Sequence, residues 1–389
     1  MTDAPSVLGP GRLGINQLKE SKSLDDAAVD AFLEGLEVPV IEGPFCTFLW
    51  RGDADEAWVC QRIVGLPDRM PLRRLRGTDL WYLVLELPEG SRVEYQIEIR
   101  RGDHYERFNV PLYGRRSHSP VGSSSVCFGA GFVTPDWVLP DPESRPGELR
   151  ELVVPSRALG RDAHVTLYLP ARFRTTASYP LLVVHDGGDF LEYAAMKTVL
   201  DNLIHRMDVA DVVVAFTHPG ERLDEYADST AHSRFITDEV LPELEVSLPL
   251  VGQRAGRCLL GSSFGAVASL AAAYRSPDTY GSLVLMSGSF LFTDIGTDHG
   301  GGPAFDPVVK FVNRYRAKPR RVADRVFMSC GVYEPLIVPN RSMVHVFENT
   351  RMQVRYTEAR DGHSWENWRD RLRDALSWVY PGPQRLYYE

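Results

Sequence analysis

Two different patterns of apolar and polar residues divide the chain. Between about Pro44 and Phe132, short runs in which apolar and polar residues alternate are separated by clusters of Gly, Asp and Pro. Examples of these runs are CTFLW, EAWVCQRI, DLWYLVLEL and SRVEYQIEIR. A period of two is typical of strands with one buried face, and many short strands of this kind indicate an antiparallel β-sandwich.

From Leu152 onward, runs of apolar and β-branched residues alternate with helical patterns. These runs are HVTLYLP, YPLLVVHD, DVVVAFTH, RCLLGSS, SLVLMSGS, RVFMSCG and MQVRYTEA. Such runs are typical of strands that are buried on both faces, and the helices between them are the crossovers of a mostly parallel sheet. The second part of the chain is therefore predicted to have an α/β fold.

These patterns predict four segments. They are a flexible N-terminus at residues 1–25, a β-sandwich domain at 26–135, a linker at 136–150 and an α/β domain at 151–389. The linker is assigned because TPDWVLPDPESRPGE is rich in proline and acidic residues. A length of 389 residues supports two domains, since a single hydrophobic core rarely serves so long a chain.

Composition and charge exclude several classes of function. With 52 acidic and 43 basic residues the formal net charge is −9, and there is no basic stripe, so nucleic acid is not expected as a partner. No stretch reaches the ~18 apolar residues of a membrane span, and the first residues lack a signal-peptide pattern, so we expect a cytoplasmic protein. The sequence has no CxxC or HExxH motif, so neither a metal nor another cofactor is expected.

A candidate nucleophile lies in the motif GSSFG, which spans residues 261–265. The motif follows the apolar run RCLL and precedes the helix-forming stretch AVASLAAAYR, so it is placed at a strand-to-helix turn. A sharp elbow of this kind needs glycine on both sides of a strained serine, and it exposes the hydroxyl at the end of the sheet. We predict Ser263 as the nucleophile and the backbone N–H of Phe264 as one oxyanion donor.

The candidate general base is His363. A serine hydroxyl is a weak nucleophile at neutral pH, so a base must take its proton during attack. His363 lies in DGHSWENWR, after the strand-like MQVRYTEA and before a terminal helical pattern, which preserves the chain order of serine, acid and histidine. A histidine that only caps the last helix is the alternative interpretation.

The third member of a catalytic triad must orient the imidazole and stabilise its charge. Glu334, in GVYEP, is the first carboxylate after the predicted strand RVFMSCG and is our first choice. Asp361 and Asp324 are alternatives, and a dyad of serine and histidine alone also remains open.

Two glycine-containing segments follow predicted strands. HDGGDF comes after PLLVV, and its Gly187 or Gly188 is predicted to supply the second oxyanion N–H, unless the segment is an ordinary turn into a helix. The Gly-rich segment GTDHGGGPAF, at residues 296–305, is either a mobile cover over the site or a surface connection.

The combination of these segments resembles the enterochelin (enterobactin) esterases and the wider esterase D group of α/β-hydrolases. The segments that carry the resemblance are HDGGDF, RLDEY, GSSFGAVASL, LVLMSGSF, GVYEP and DGHSWENWR. Residues 70–81 and 93–97 are similar to the immunoglobulin-like β-sandwich that precedes the catalytic domain in these enzymes. The resemblance implies an α/β-hydrolase that cleaves esters through an acyl-enzyme, with the trilactone of catecholate siderophores as substrate and intracellular iron release as the result.

The resemblance also bears on substrate contacts. A ferric siderophore is anionic, and Arg222 is a candidate for binding it, although it could instead brace Glu225 or the active-site loop. Trp365 and Phe190 are candidates for lining the pocket. The expected partner is a small-molecule ester, and the oligomeric state is left open. The alternatives are an acyl or feruloyl carbohydrate esterase with a sugar-binding front domain, and a catalytically inactive hydrolase-fold binding protein.

Overall fold

The computed structural model describes residues 13–21, 24–110, 115–294, 296 and 298–383. The chain forms two compact units. The first consists of Met1–Thr134, Val332–Glu334 and Arg360–Ser364, and the second of Pro135–Gly331, Pro335–Ala359 and Trp365–Glu389.

The first unit contains two short helices and two antiparallel sheets within the described residues. The helices are α1 (Gly14–Lys19) and α2 (Asp26–Leu33). The strands are β1 (Val40–Glu42), β2 (Phe45–Arg51), β3 (Glu56–Gln61), β4 (Arg69–Pro71), β5 (Arg73–Arg74), β6 (Leu80–Glu86), β7 (Arg92–Arg101), β8 (His104–Phe108), β9 (Arg115–Ser119) and β10 (Gly122–Phe128). One sheet has the order β1-β2-β6-β5, and the other has β4-β3-β7-β10-β9 with β8 paired to β7.

Both sheets of the first unit contribute to one apolar core. Phe48 of β2 and Tyr95 of β7 meet there edge to face, with ring centroids 4.8 Å apart. The same core contains Ile15 and Leu18 of α1. The predicted flexible N-terminus therefore differs from the structure at α1, because these apolar side chains are buried, whereas residues 1–12, 22 and 23 lie outside the described residues.

The second unit is built around one large sheet. Its strands are β11 (Glu148–Ser156), β12 (Arg161–Leu169), β13 (Leu181–Val184), β14 (Val213–Thr217), β15 (Arg257–Ser262), β16 (Ser282–Met286), β17 (Arg325–Gly331) and β18 (Gln353–Ala359). Its helices are α3 (Gly187–Glu192), α4 (Met196–His205), α5 (Arg222–Tyr226), α6 (Thr230–Arg234), α7 (Leu241–Ser247), α8 (Phe264–Arg275), α9 (Asp306–Ala317), α10 (Ile337–Glu348) and α11 (Trp365–Val379).

Within the described residues this sheet has eight strands in the order β11-β12-β14-β13-β15-β16-β17-β18. The pairs β11–β12 and β12–β14 are antiparallel, and the remaining pairs are parallel. One apolar cluster includes Val267 and Leu270 of α8, and another includes Leu372 and Leu376 of α11. The prediction of an α/β fold with a mostly parallel sheet is confirmed.

The topology determines where candidate side chains emerge. The parallel strands β15, β16, β17 and β18 end at the same edge of the sheet, where ligands bind in open α/β sheets.

The predicted linker includes a turn at Asp136–Val138, and two backbone carbonyls there accept hydrogen bonds from Asn202 of α4. Among the described residues, no helix is long and apolar enough to cross a membrane.

Candidate active site

Ser263 lies at a strained turn between β15 and α8. Its backbone has φ 54° and ψ −120°, a conformation that is rare for a residue with a side chain. A Cβ atom on Gly261 would lie 2.2 Å from the carbonyl carbon of Gly265, and one on Gly265 would lie 3.1 Å from Cβ of His185. The position of Gly261 therefore requires glycine, and that of Gly265 leaves little room for a side chain.

A second hydroxyl lies beside that of Ser263. The Oγ atoms of Ser263 and Ser289 are 3.1 Å apart, and the backbone N–H of Ser289 donates to the carbonyl oxygen of Ser263 at 3.1 Å. Ser289 is buried and follows β16, the strand next to β15. Sequence reasoning missed this residue, although its segment LVLMSGSF starts with the strand neighbouring that of the nucleophile.

The turn that carries Ser289 is held by two helices. Trp368 of α11 donates from Nε1 to Oγ of Ser287 at 2.9 Å. Asn340 of α10 accepts from the backbone N–H of Gly288 at 3.1 Å and donates to its carbonyl oxygen at 2.8 Å. These contacts fix the backbone that places the Ser289 hydroxyl against Ser263.

The predicted second oxyanion donors lie at the start of α3. A Cβ atom on Gly187 would lie 2.4 Å from Cβ of Phe216, and one on Gly188 would lie 3.1 Å from Nδ1 of His218. Asp186, just before them, has a left-handed conformation with φ 55°. The two glycines therefore permit close packing against Phe216 and His218, and their role as oxyanion donors stays a prediction.

Arg222 holds this loop. Its guanidinium donates two hydrogen bonds to the carboxylate of Asp186, both at 2.7 Å, and Asp186 is buried. The backbone N–H of Asp186 also donates to the hydroxyl oxygen of Tyr226, at 3.0 Å. The guanidinium is thus engaged with the carboxylate of the loop, and contact between Arg222 and a substrate stays a prediction.

Beneath the elbow lies the buried His185. Burial lowers the pKa of its imidazole to about 3, so the ring is neutral at physiological pH. Nδ1 of His185 lies 3.0 Å from Oγ of Ser269, a residue of α8. This histidine packs against Gly265, the second glycine of the elbow.

His363 and Glu334 form a close pair in the first unit. Nδ1 of His363 lies 2.6 Å from Oε2 of Glu334, and their side chains are 36% and 0% exposed. The other two candidate acids are engaged elsewhere, since Asp361 pairs with Arg92 and Asp324 pairs with Arg254. Of the three carboxylates considered from the sequence, the one against the imidazole is Glu334.

The aromatic candidates are buried. Phe190 and Trp365 meet edge to face with ring centroids 5.2 Å apart, inside the apolar cluster that includes α11. Phe264 packs against Phe305, with centroids 4.8 Å apart. Contact between these rings and a substrate stays a prediction.

The Gly-rich segment at residues 296–305 includes residue 297, which lies outside the described residues, so its role as a cover also stays a prediction.

The mostly parallel eight-stranded sheet and the strained serine elbow define an α/β-hydrolase type of protein. A family model described as a putative esterase matches residues 156–379. The chain belongs to this esterase family, and it is a carboxylic ester hydrolase.

Relatives extend the likeness over both units. The chain is 22% identical over 371 residues to the iron(III) enterobactin esterase of Escherichia coli O6:H1, covering 85% of this chain and 90% of that one. The crystal structure of ferric enterobactin esterase from Salmonella typhimurium has a TM-score of 0.71 at 18% identity, covering 86% of this chain and 93% of that one. A ferulic acid esterase structure has a TM-score of 0.52 at 20% identity, and the match covers 61% of this chain and 99% of the other.

Proposed function

We propose that the chain is a serine esterase that hydrolyses siderophore esters, such as an enterochelin-like trilactone, and so releases iron inside the cell. The observation that carries the proposal is the strained conformation of Ser263 between Gly261 and Gly265. Strain of this kind costs stability and persists where a function requires it. A serine raised on such an elbow is the feature by which hydrolases of this fold attack esters.

In the proposed mechanism, Oγ of Ser263 attacks the carbonyl carbon of the ester while Nε2 of His363 takes the serine proton. The bond to the leaving alcohol then breaks, and the imidazolium returns the proton to that alcohol oxygen. Water attacks the resulting acyl-enzyme with His363 again as base, which releases the acid and restores Ser263. No cofactor takes part in these steps.

Glu334 has a defined part in this mechanism. With Nδ1–H donated to Glu334 at 2.6 Å, the proton-accepting lone pair of the neutral ring is on Nε2. The buried carboxylate also stabilises the imidazolium that forms during attack. We propose the backbone N–H groups of Phe264 and of Gly187 or Gly188 as donors to the oxyanion, where one such donor is worth roughly 10²- to 10³-fold in kcat.

The substrate class is proposed from the relatives together with the first unit. The enterobactin esterases match 85% and 86% of this chain, more than the second unit alone contains, so the likeness extends into the first unit. We propose that these sheets are an immunoglobulin-like β-sandwich domain at residues 26–135. Arg222, Trp365 and Phe190 remain the proposed substrate contacts, with Arg222 suited to an anionic ligand.

An acyl or feruloyl carbohydrate esterase is the second candidate. The likeness to a ferulic acid esterase favours it, since that chain is covered almost completely. The match spans 61% of the present chain, so it leaves much of this chain without a counterpart. This difference favours the siderophore ester as the substrate.

The test compares hydrolysis of ferric enterobactin, a short-chain p-nitrophenyl ester and a feruloylated sugar by the wild type and by Ser263→Ala. Ser262→Ala is the matched control, because its buried Oγ has no hydrogen-bond partner among the described residues. We expect siderophore cleavage that is lost in Ser263→Ala and kept in Ser262→Ala. Cleavage that survives in Ser263→Ala would refute the mechanism. Ser263-dependent cleavage of the feruloyl ester alone would show that the chain is a carbohydrate esterase, the second candidate. No cleavage of any of these esters, and no Ser263-dependent labelling by a fluorophosphonate, would favour the inactive binding protein.

A further inference from the structure

The histidine segment is anchored by a buried ion pair inside the first unit. Arg92, the first residue of β7, binds Asp361, which lies two residues before His363. Nε of Arg92 is 3.2 Å from Oδ1 and Nη2 is 2.5 Å from Oδ2 of Asp361. The two side chains are only 4% and 6% exposed, so the pair is shielded from solvent.

The backbone around this pair is fixed as well. The N–H of Arg92 donates to the carbonyl oxygen of Arg360 at 2.9 Å. The carboxylate of Asp361 accepts the N–H of Gly362 at 2.9 Å. Residues 360–362, which lead directly into His363, are thus held on both their backbone and their side chains.

The segment that carries the acid is held from the same place. Oγ of Ser91, the residue before Arg92, lies 2.5 Å from the hydroxyl oxygen of Tyr333, which precedes Glu334. The N–H of Tyr333 donates to the carbonyl oxygen of Asp361 at 3.1 Å, so the two segments are also joined to each other. Two adjacent residues at the start of β7 therefore anchor both partners of the His363–Glu334 pair.

We propose that Arg92 is a positioning residue for the proposed catalytic histidine. This inference rests on the proposed function of His363 and Glu334. A buried ion pair adds little net stability compared with apolar side chains of the same size, but it fixes geometry, because each charge must keep its partner. Asp361 lies two residues before His363, and its carboxylate could otherwise accept the Nδ1–H of the imidazole. Because Arg92 binds this carboxylate, the Nδ1–H donates to Glu334.

The site is built for arginine rather than lysine. A bidentate contact with a carboxylate needs the planar fork of a guanidinium. The guanidinium carbon of Arg92 also lies over the ring of Phe132, 5.3 Å from its centroid, so the cation contacts the ring while it binds Asp361. A lysine retains the charge but makes a single contact, so the kcat of Arg92→Lys is expected to lie between those of the wild type and of an uncharged variant.

The first experiment measures steady-state hydrolysis of a short-chain p-nitrophenyl ester by Arg92→Met, Arg92→Lys and a control. The control, Arg107→Met, breaks a different ion pair of the first unit, that between Arg107 of β8 and Glu98 of β7. We expect Arg92→Met to lower kcat about 10- to 100-fold with little change in KM, since a shift of about 1 Å in a catalytic group has this effect. Arg92→Lys should recover part of kcat, and Arg107→Met should match the wild type.

The second experiment observes the imidazole directly. The proton shared by His363 Nδ1 and Glu334 should give a downfield resonance in the proton NMR spectrum, identified by its loss in His363→Gln. We expect this resonance to shift or disappear in Arg92→Met and to persist in Arg107→Met. This measurement does not depend on hydrolysis, so it tests the position of the histidine even if the substrate has been misassigned.

A folded Arg92→Met that keeps both the kcat and the resonance of the wild type would overturn the inference. If circular dichroism shows that Arg92→Met does not fold, Arg92→Lys decides by the same two measurements. A wild type without Ser263-dependent hydrolysis overturns the proposed function instead, and the resonance then decides the inference alone.

Discussion

Replacement of Glu334 by glutamine removes one charge from the proposed catalytic machinery and keeps the shape of the side chain. The carboxylate is fully buried and lies 2.6 Å from Nδ1 of His363. With charge centres about 4 Å apart and an effective dielectric constant of about 20, the attraction between carboxylate and imidazolium is about 4 kcal/mol. A loss of this size in the transition state corresponds to about 10³-fold in rate.

Two features of the site modify this value. The imidazole is 36% exposed, so solvent screens part of the attraction. Glutamine can also present its NH₂ group to Nδ1, which favours the wrong tautomer and lowers the rate further. We therefore expect Glu334→Gln to lower kcat by about 10²- to 10³-fold, with KM nearly unchanged because the carboxylate acts on the base.

The assay is the initial rate of p-nitrophenyl ester hydrolysis at pH 7.5, with Asp324→Asn as the control. Asp324 is another carboxylate of the chain, and it binds Arg254 at 2.9 Å. Asp324→Asn should keep the wild-type kcat. A Glu334→Gln enzyme within tenfold of the wild type, or an Asp324→Asn enzyme that loses more activity than Glu334→Gln, would refute the assignment of the acid.

Three further predictions concern the second unit. Ser289→Ala removes the hydroxyl 3.1 Å from the nucleophile, and kcat measured on the same ester should fall about 2- to 10-fold, the worth of one hydrogen bond. An unchanged kcat would contradict this. Because the pKa of His185 is about 3 in the folded state, the unfolded chain binds more protons between pH 3 and 6.5, so the free energy of unfolding should decrease as the pH is lowered through this range. Urea unfolding should show that His185→Asn lowers the slope by at most about 1.4 kcal/mol per pH unit, and an unaltered slope would refute the burial argument. Gly187→Ala would place Cβ 2.4 Å from Phe216 and should lower Tm, and Gly188→Ala, with a closest contact of 3.1 Å, should lower it less. Equal Tm values would contradict the clash.

The sequence predicts those features whose causes are local. β-branched apolar runs produce strands of a parallel sheet, and a serine between two glycines after such a run produces the elbow. Helix α1 was missed because its few apolar residues gain burial only when the sheets of the first unit are present. The loop at Asp186 was predicted from its glycines. Arg222, which lies 36 residues later, was predicted either to bind the substrate or to brace Glu225 or the active-site loop, but its pairing with Asp186 was not predicted.

The contacts that hold the candidate site in place could not be predicted from local sequence patterns either, because their partners lie far apart in the sequence. Ser289 is placed by Asn340 and Trp368, which are 52 and 81 residues away from the turn residues they bind. Arg92 and Asp361 are separated by 269 residues, and a single arginine at the start of a strand carries no sign of its partner. Such pairs depend on tertiary packing, and one sequence without related sequences does not reveal them.

The division of the chain into two units shows why the contact between Arg92 and Asp361 bears on function. The segments 332–334 and 360–364 follow β17 and β18 of the second unit in sequence, yet they pack as part of the first. The proposed base and acid therefore lie on segments that pack within the first unit, where Ser91 and Arg92 at the start of β7 hold them. A hydrolase of this fold that lacks the first unit must hold its histidine segment with other residues. The charge at Arg92 should accordingly matter for the rate of this enzyme, although Arg92 lies far from the esterase segments in the sequence.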